Sequence, residues 1–164
     1  MKKTLLLGTA FAFLLTASAT LSFAAKAKST AYTNSRYGFS LTLPLGHLSI
    51  VEPENGDGVT VTYPNDMVLK AYGSMAPLVL STDCNSMFKE AKGEFSEVTY
   101  ARLNEKQNWF AVSGYREENV GYTKQFIGKT SSYTVKMLYP RENVKMFNAF
   151  VRAVVDSFTP GDME

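Results

Sequence analysis

From Tyr37 to Pro44 apolar and polar residues alternate strictly: Phe39, Leu41 and Leu43 fall on one side, Ser40 and Thr42 on the other. A period of two makes this a half-buried strand, and Pro44 ends its ladder because proline has no N–H to donate. "LSIVE" and "VTVTY" then flank "PENGDG". There Asn55-Gly56 and Asp57-Gly58 offer the positive φ values that a tight reversal needs, so the pattern predicts a hairpin. "MVLKAYG" and "APLVLS" extend the β region with weaker alternation.

The period changes at Asp83. Cys84, Met87, Phe88 and Ala91 share one helical face, with Asp83 or Thr82 as the cap and Gly93 near the end. Strand character returns in "EVTYARLN" and "NWFAVSGYR", joined across "EKQ", and in "VGYTKQFIG" and "SYTVKMLYP", joined across "KTS". These segments are rich in Tyr, Val, Thr and Phe, which suit a pleated surface.

The C-terminal stretch switches period once more. Phe147, Phe150, Val151, Val154, Val155 and Phe158 form a single stripe of an amphipathic helix, and Pro160-Gly161 stops it. Six such side chains correspond to roughly 10–18 kcal/mol of gross burial before chain entropy is subtracted. The opposite side carries Lys145, Asn148, Arg152 and Asp156, a mixture of signs unlike that of a helix lying on a membrane. The succession of β-rich, helical, β-rich and helical segments predicts an α+β fold: a mainly antiparallel sheet packed by helices, with a long C-terminal helix.

Ahead of this pattern lies a different kind of segment. Lys2 and Lys3 precede an apolar run from Leu5 to Thr16, and Ser22 and Ala24 are the small residues of a cleavage site. The reading is a signal peptide over 1–24, a flexible lead-in over 25–34, one domain over 35–159 and a tail over 160–164. Export to the periplasm or outside the cell follows, with no stable membrane insertion once the signal is removed.

Removal changes the charge balance. The chain has 17 Lys plus Arg against 15 Asp plus Glu, and Lys2 and Lys3 leave with the signal, so the signs become equal. An even, interspersed surface gives no electrostatic reason to expect nucleic acid or anionic lipid as a partner. The sole cysteine, Cys84, excludes an intramolecular disulfide and a cysteine zinc site. Its helical spacing reads as a buried small hydrophobe, with an intermolecular thiol as the alternative.

Candidate chemistry is thin. "GKTSS" (Gly128 to Ser132) lacks the earlier glycine of a phosphate loop, where Thr123 stands, and has strands on both sides, so it reads as a hairpin turn. Glu52, Glu54, Asn55 and Asp57 are oxygen ligands that suit calcium, but they lack EF-hand order, and the glycine-rich turn explains them without a metal. His47 is the sole histidine and sits in a predicted loop with no nucleophile elbow nearby. Glu94 with Glu97 is a possible carboxylate pair, whereas Glu117 and Glu118 point apart if extended. No cofactor is expected. Aromatics make up 13% of the chain. Trp109, Tyr115, Tyr122 and Tyr133 are the candidates to line a partner or ligand surface, since amphipathic rings suit that role.

"YGFSLTLP" at the start and "AFVRAVVDSFTP" at the end resemble the two ends of PsbP-like domains, and "NWFAVSGY" and "SYTVKMLYP" resemble the strands before the last helix. The resemblance implies an α/β/α sandwich and membership among exported accessory proteins, including photosystem extrinsic subunits and DcrB-like envelope proteins. Where the family often has a tryptophan after the proline, this chain has His47 and Leu48. No catalytic set accompanies the resemblance.

The function expected is a non-catalytic accessory or binding domain, expected as a monomer, that docks on another envelope protein. The alternatives are a carrier of a small ligand or lipid in an aromatic pocket, and a weak hydrolase using His47 or carboxylates.

Overall fold

The computed structural model describes residues 28–75 and 83–164. The predicted signal peptide, the segment "APLVLS" and the alternative cap Thr82 lie outside the described residues.

The alternating stretch forms β2 (Ser40–Pro44), and Phe39, Leu41 and Leu43 are all buried. Its partner was not foreseen. Ser29–Thr33, expected to be flexible lead-in, forms β1, antiparallel to β2 with Tyr32 opposite Leu41. Side chains along β1 are almost all exposed, so no apolar period marks it. Main-chain pairing holds it, helped by the Tyr32 ring 6.1 Å from that of Phe39. Asn34 closes the turn. Its buried Oδ1 accepts from the main-chain N–H groups of Arg36 and Tyr37, and its Nδ2 donates to the Gly56 carbonyl at 3.0 Å. The domain therefore includes at least Ser29 onward.

The hairpin around "PENGDG" joins β3 (Ser49–Val51) to β4 (Gly58–Tyr63). Gly56 takes the left-handed conformation at φ +66°, whereas Gly58 does not. Gly58 is needed for space instead, because a Cβ there would lie 2.2 Å from the Ala71 carbonyl oxygen. β5 (Met67–Met75) follows, then α1 (Cys84–Gly93), β6 (Glu97–Asn104), β7 (Trp109–Arg116), β8 (Asn119–Ile127), β9 (Ser131–Pro140) and α2 (Val144–Ser157). The "GKTSS" segment is the β8–β9 turn, with the Gly128 N–H donating to the Ser131 carbonyl at 2.8 Å.

Seven strands form one antiparallel sheet in the order β3-β4-β5-β9-β8-β7-β6. Alternation sends Leu69, Val135 and Met137 to one face, where they meet β2 and the α2 stripe in the main core. Phe147, Val154, Val155 and Phe158 are buried there, while Phe150 and Val151 are only partly covered. On the other face α1 lays Cys84, Met87, Phe88 and Ala91 against Phe110 and Val112. Asp83 is the cap, its carboxylate accepting the Ser86 N–H at 2.6 Å. The result is an α/β/α sandwich whose main core lies under the C-terminal helix.

Residues 160–164, expected as a tail, pack on the domain. The Tyr133 hydroxyl donates to the Asp162 carbonyl, and the Lys129 N–H donates to the Met163 carbonyl at 3.2 Å.

Candidate docking surfaces

The sheet is wider than α2. Where the helix ends its cover, over β6, β7 and β8, an open groove of about 470 Å³ remains. Ser113, Tyr100, Tyr122 and Tyr139 form its floor, and Val151, Arg152, Val155 and Asp156 of α2 form its wall. Burial first, then the neighbouring Tyr100 and Asp156, hold the Tyr122 phenol well above its ordinary range. Lys124, on the same sheet face, donates to the Val155 carbonyl at 3.1 Å, in the last turn of α2. Burial lowers the Lys124 ammonium pKa, and the Asp156 carboxylate partly counters that.

The four aromatic candidates do not form one cluster. Tyr122 lines the groove. Trp109 and Tyr115 lie on the same sheet face at opposite ends of β7, opposite Phe126 and Val120. Each already has cations over its ring: Arg102 at 5.2 Å and Lys124 at 5.6 Å for Trp109, and Arg141 at 3.8 Å for Tyr115. The Trp109 indole N–H also donates to Gln107 Oε1 at 3.1 Å. Tyr133 is a core residue, 2% exposed and edge-on to Phe39, so it cannot contribute to a surface. Its face of β9 is the one covered by β2 and the C-terminal segment.

The surface that pattern reading missed lies at the other edge of the sheet. Leu45, Leu48, Ile50 and Val51 are exposed by 48, 70, 41 and 58% respectively. They occupy the loop after β2 and the edge strand β3, which among the described residues pairs on one side only, with β4. Ile50 and Val51, consecutive on β3, point to opposite faces of the sheet, so the exposed aliphatics flank the strand edge on both sides. The available signal was "LSIVE" itself: apolar residues at adjacent positions, without the alternation of a half-buried strand.

His47 lies in the same loop, its ring edge-on to Tyr63 at 6.3 Å. Among the described residues no group hydrogen-bonds its buried Nδ1, so no acid orients it for general-base work. In the "PENGDG" turn, Asn55 Nδ2 donates to Asp57 Oδ2 at 2.8 Å and Arg36 donates to the Asn55 carbonyl at 2.6 Å. Those oxygens thus hold the turn together. Glu94 pairs with Lys136 at 3.1 Å and with Arg116 at 3.5 Å, so its contacts are with cations and not with Glu97.

No family model matches the chain, and no curated protein matches it. Among solved structures, it is similar in fold to the solution structure of cyanobacterial PsbP (CyanoP) from Synechocystis sp. PCC 6803. The TM-score is 0.57 at 14% sequence identity, covering 82% of this chain and 93% of that one.

Proposed function

We propose that this chain is an exported, non-catalytic accessory domain that docks on another envelope protein through the aliphatic loop and edge strand from Leu45 to Val51. The observation that carries this reading is a run of four exposed large aliphatics within seven residues, along a strand edge that is unpaired among the described residues. An edge strand offers main-chain N–H and C=O groups to a partner, and flanking aliphatics supply the apolar centre that an interface requires. The PsbP-like fold supports an accessory role. Export, cleavage after Ala24 and kinship with DcrB-like proteins belong to the same proposal.

The test is site-specific photo-crosslinking in the native envelope, with the reactive residue at Leu48, at Val51, or at the remote Lys106. A common protein partner captured from Leu48 and Val51, absent from Lys106 and lost in Leu48→Asp, supports the docking role. Capture of the same partner from Lys106, or persistence in Leu48→Asp with the fold intact, overturns it.

The groove favours a second reading, carriage of a small aromatic or aliphatic ligand between α2 and the sheet. Tyr100, 46% exposed in its floor, is the residue to replace. Tyr100→Ala should release a co-purifying ligand detected by native mass spectrometry; purification of an empty wild-type protein removes this reading.

A further inference from the structure

On the α1 face of the sheet, strand register sets two unlike rows side by side. One row runs Thr123, Lys136, Lys70, Thr60 across β8, β9, β5 and β4. The next runs Gly121, Leu138, Val68, Thr62 across the same strands. Lys70 and Lys136 are therefore direct cross-strand neighbours, a pairing that like charges make unfavourable unless something negative lies between them.

α1 covers only part of this face. Where the chain leaves the helix, Glu94 and Phe95 drop onto the sheet. Gly121 makes room for the Phe95 ring, because a Cβ there would lie 2.8 Å from its Cε1. A pocket of about 300 Å³ remains beside the ring. Phe95, Val68 and Leu138 give it apolar walls, and Lys70, Lys136 and Arg116 give it cationic ones. Glu94 is the carboxylate paired with Lys136 and Arg116. Lys70 has no carboxylate partner among the described residues, so three cations face one acid. One side of the pocket is an apolar shelf and the other an unbalanced positive edge.

We propose that this pocket binds a small amphiphilic anion: a carboxylate or phosphate head on an aromatic or branched aliphatic body. The head bridges Lys70 and Lys136, which removes their mutual repulsion, and the body rests on Phe95, Val68 and Leu138. Arg116 gains a second acceptor beside Glu94. The site lies on the sheet face opposite the α2 groove and does not depend on the docking reading.

The test is calorimetry together with backbone-amide NMR, using phenylphosphate as probe and inorganic phosphate and benzyl alcohol as its two separated halves. Phenylphosphate should bind at one saturable site, shift the amides of Thr123, Lys136 and Leu138, and weaken as salt is added. Each half alone should bind about tenfold more weakly or worse, and Lys70→Gln or Lys136→Gln should each weaken phenylphosphate by about tenfold, the loss of one charge-assisted bond. Lys129→Gln, a lysine paired with Glu164 elsewhere, should bind like the wild type. Lys70 is exposed, so Lys70→Gln leaves the fold intact as a check on the partly covered Lys136. The proposal falls if no saturable shifts appear on β5, β8 and β9, or if both lysine variants bind normally. It falls equally if inorganic phosphate matches phenylphosphate, which marks an adventitious ion only. Phosphatidylglycerol vesicles that bind through Lys70 while phenylphosphate does not would overturn the free-acid assignment.

Discussion

Gly93 and Gly161 are the same residue under opposite constraints. A Cβ on Gly161 would lie 2.0 Å from the Tyr37 carbonyl oxygen, whereas a Cβ on Gly93 meets nothing within 4 Å. Gly161→Ala should therefore destabilise the domain by about 1–3 kcal/mol, because main chain must shift. Gly93→Ala should stabilise it by about 0.5–1 kcal/mol through helix propensity and a less flexible unfolded chain. Urea midpoints of the two variants should move in opposite directions. Tyr63 provides a pH test. Burial pushes its phenol from 10.0 to about 12, and its hydroxyl donates to the Pro44 carbonyl. The fold favours the protonated form, so stability is intact below the unfolded value of 10.0 and falls as pH rises towards 12. Tyr32, Tyr122, Tyr133 and Tyr139 are raised as well, so Tyr63→Phe should make that fall shallower without abolishing it. Cys84 is buried, as its helical spacing indicated, and burial, with Glu105 and Asp83 adding, raises its thiol to about 11. Reaction with a disulfide reagent at neutral pH should be slow in the native state and fast in urea; rapid native reaction would contradict that burial.

At the scale of elements, legibility followed burial. α2 was readable because its stripe repeats at helical spacing and Val154 lies at its centre, fully buried. Val154→Asp should cost on the order of 3–5 kcal/mol, since a carboxylate there has no partner. An unchanged thermal midpoint would show that α2 is not part of the core. The half-buried Phe150 and Val151 were indistinguishable from the others in sequence, because the width of the sheet they overhang is a tertiary property. β1 was illegible for the opposite reason. Its side chains face water, and main-chain hydrogen bonds leave no mark on residue choice. β3 was found, but the exposure of its aliphatics was not. Hydrophobic residues signal burial by default, and only the position of β3 at the edge leaves them uncovered.

Across the whole molecule, β9 is the strand that joins two meanders: β3-β4-β5 on one side and β6-β7-β8 on the other. The α+β class followed from the order of periods along the chain, and the α/β/α layering from the resemblance of its two ends to PsbP-like domains. The placing of β9 between β5 and β8 did not, because its partners across the sheet are set at long range. Hydrogen exchange should make amides of β5, β8 and β9 the slowest, with β1, β3 and β6 faster; early exchange in β9 would contradict its central role. The groove and the α1-face pocket also arise at this scale. Each occupies area that a helix shorter than the sheet leaves uncovered, and no local window of sequence records that mismatch.

The two ends of the described chain leave the domain at distant places, and this has a practical side. The Leu45 N–H donates to the Lys28 carbonyl, so the chain enters beside the aliphatic loop. Glu164 instead lies at the β8–β9 turn, where its main-chain carbonyl accepts from Thr130. Tyr133, near that turn, contacts the C-terminal segment, while Tyr139, at the far end of the same strand, packs at a tilt against Phe147 with ring centroids 5.2 Å apart. An affinity handle or fluorophore fused ahead of Lys28 would shade the Leu45–Val51 surface. The same reporter carried after Glu164 would leave it open.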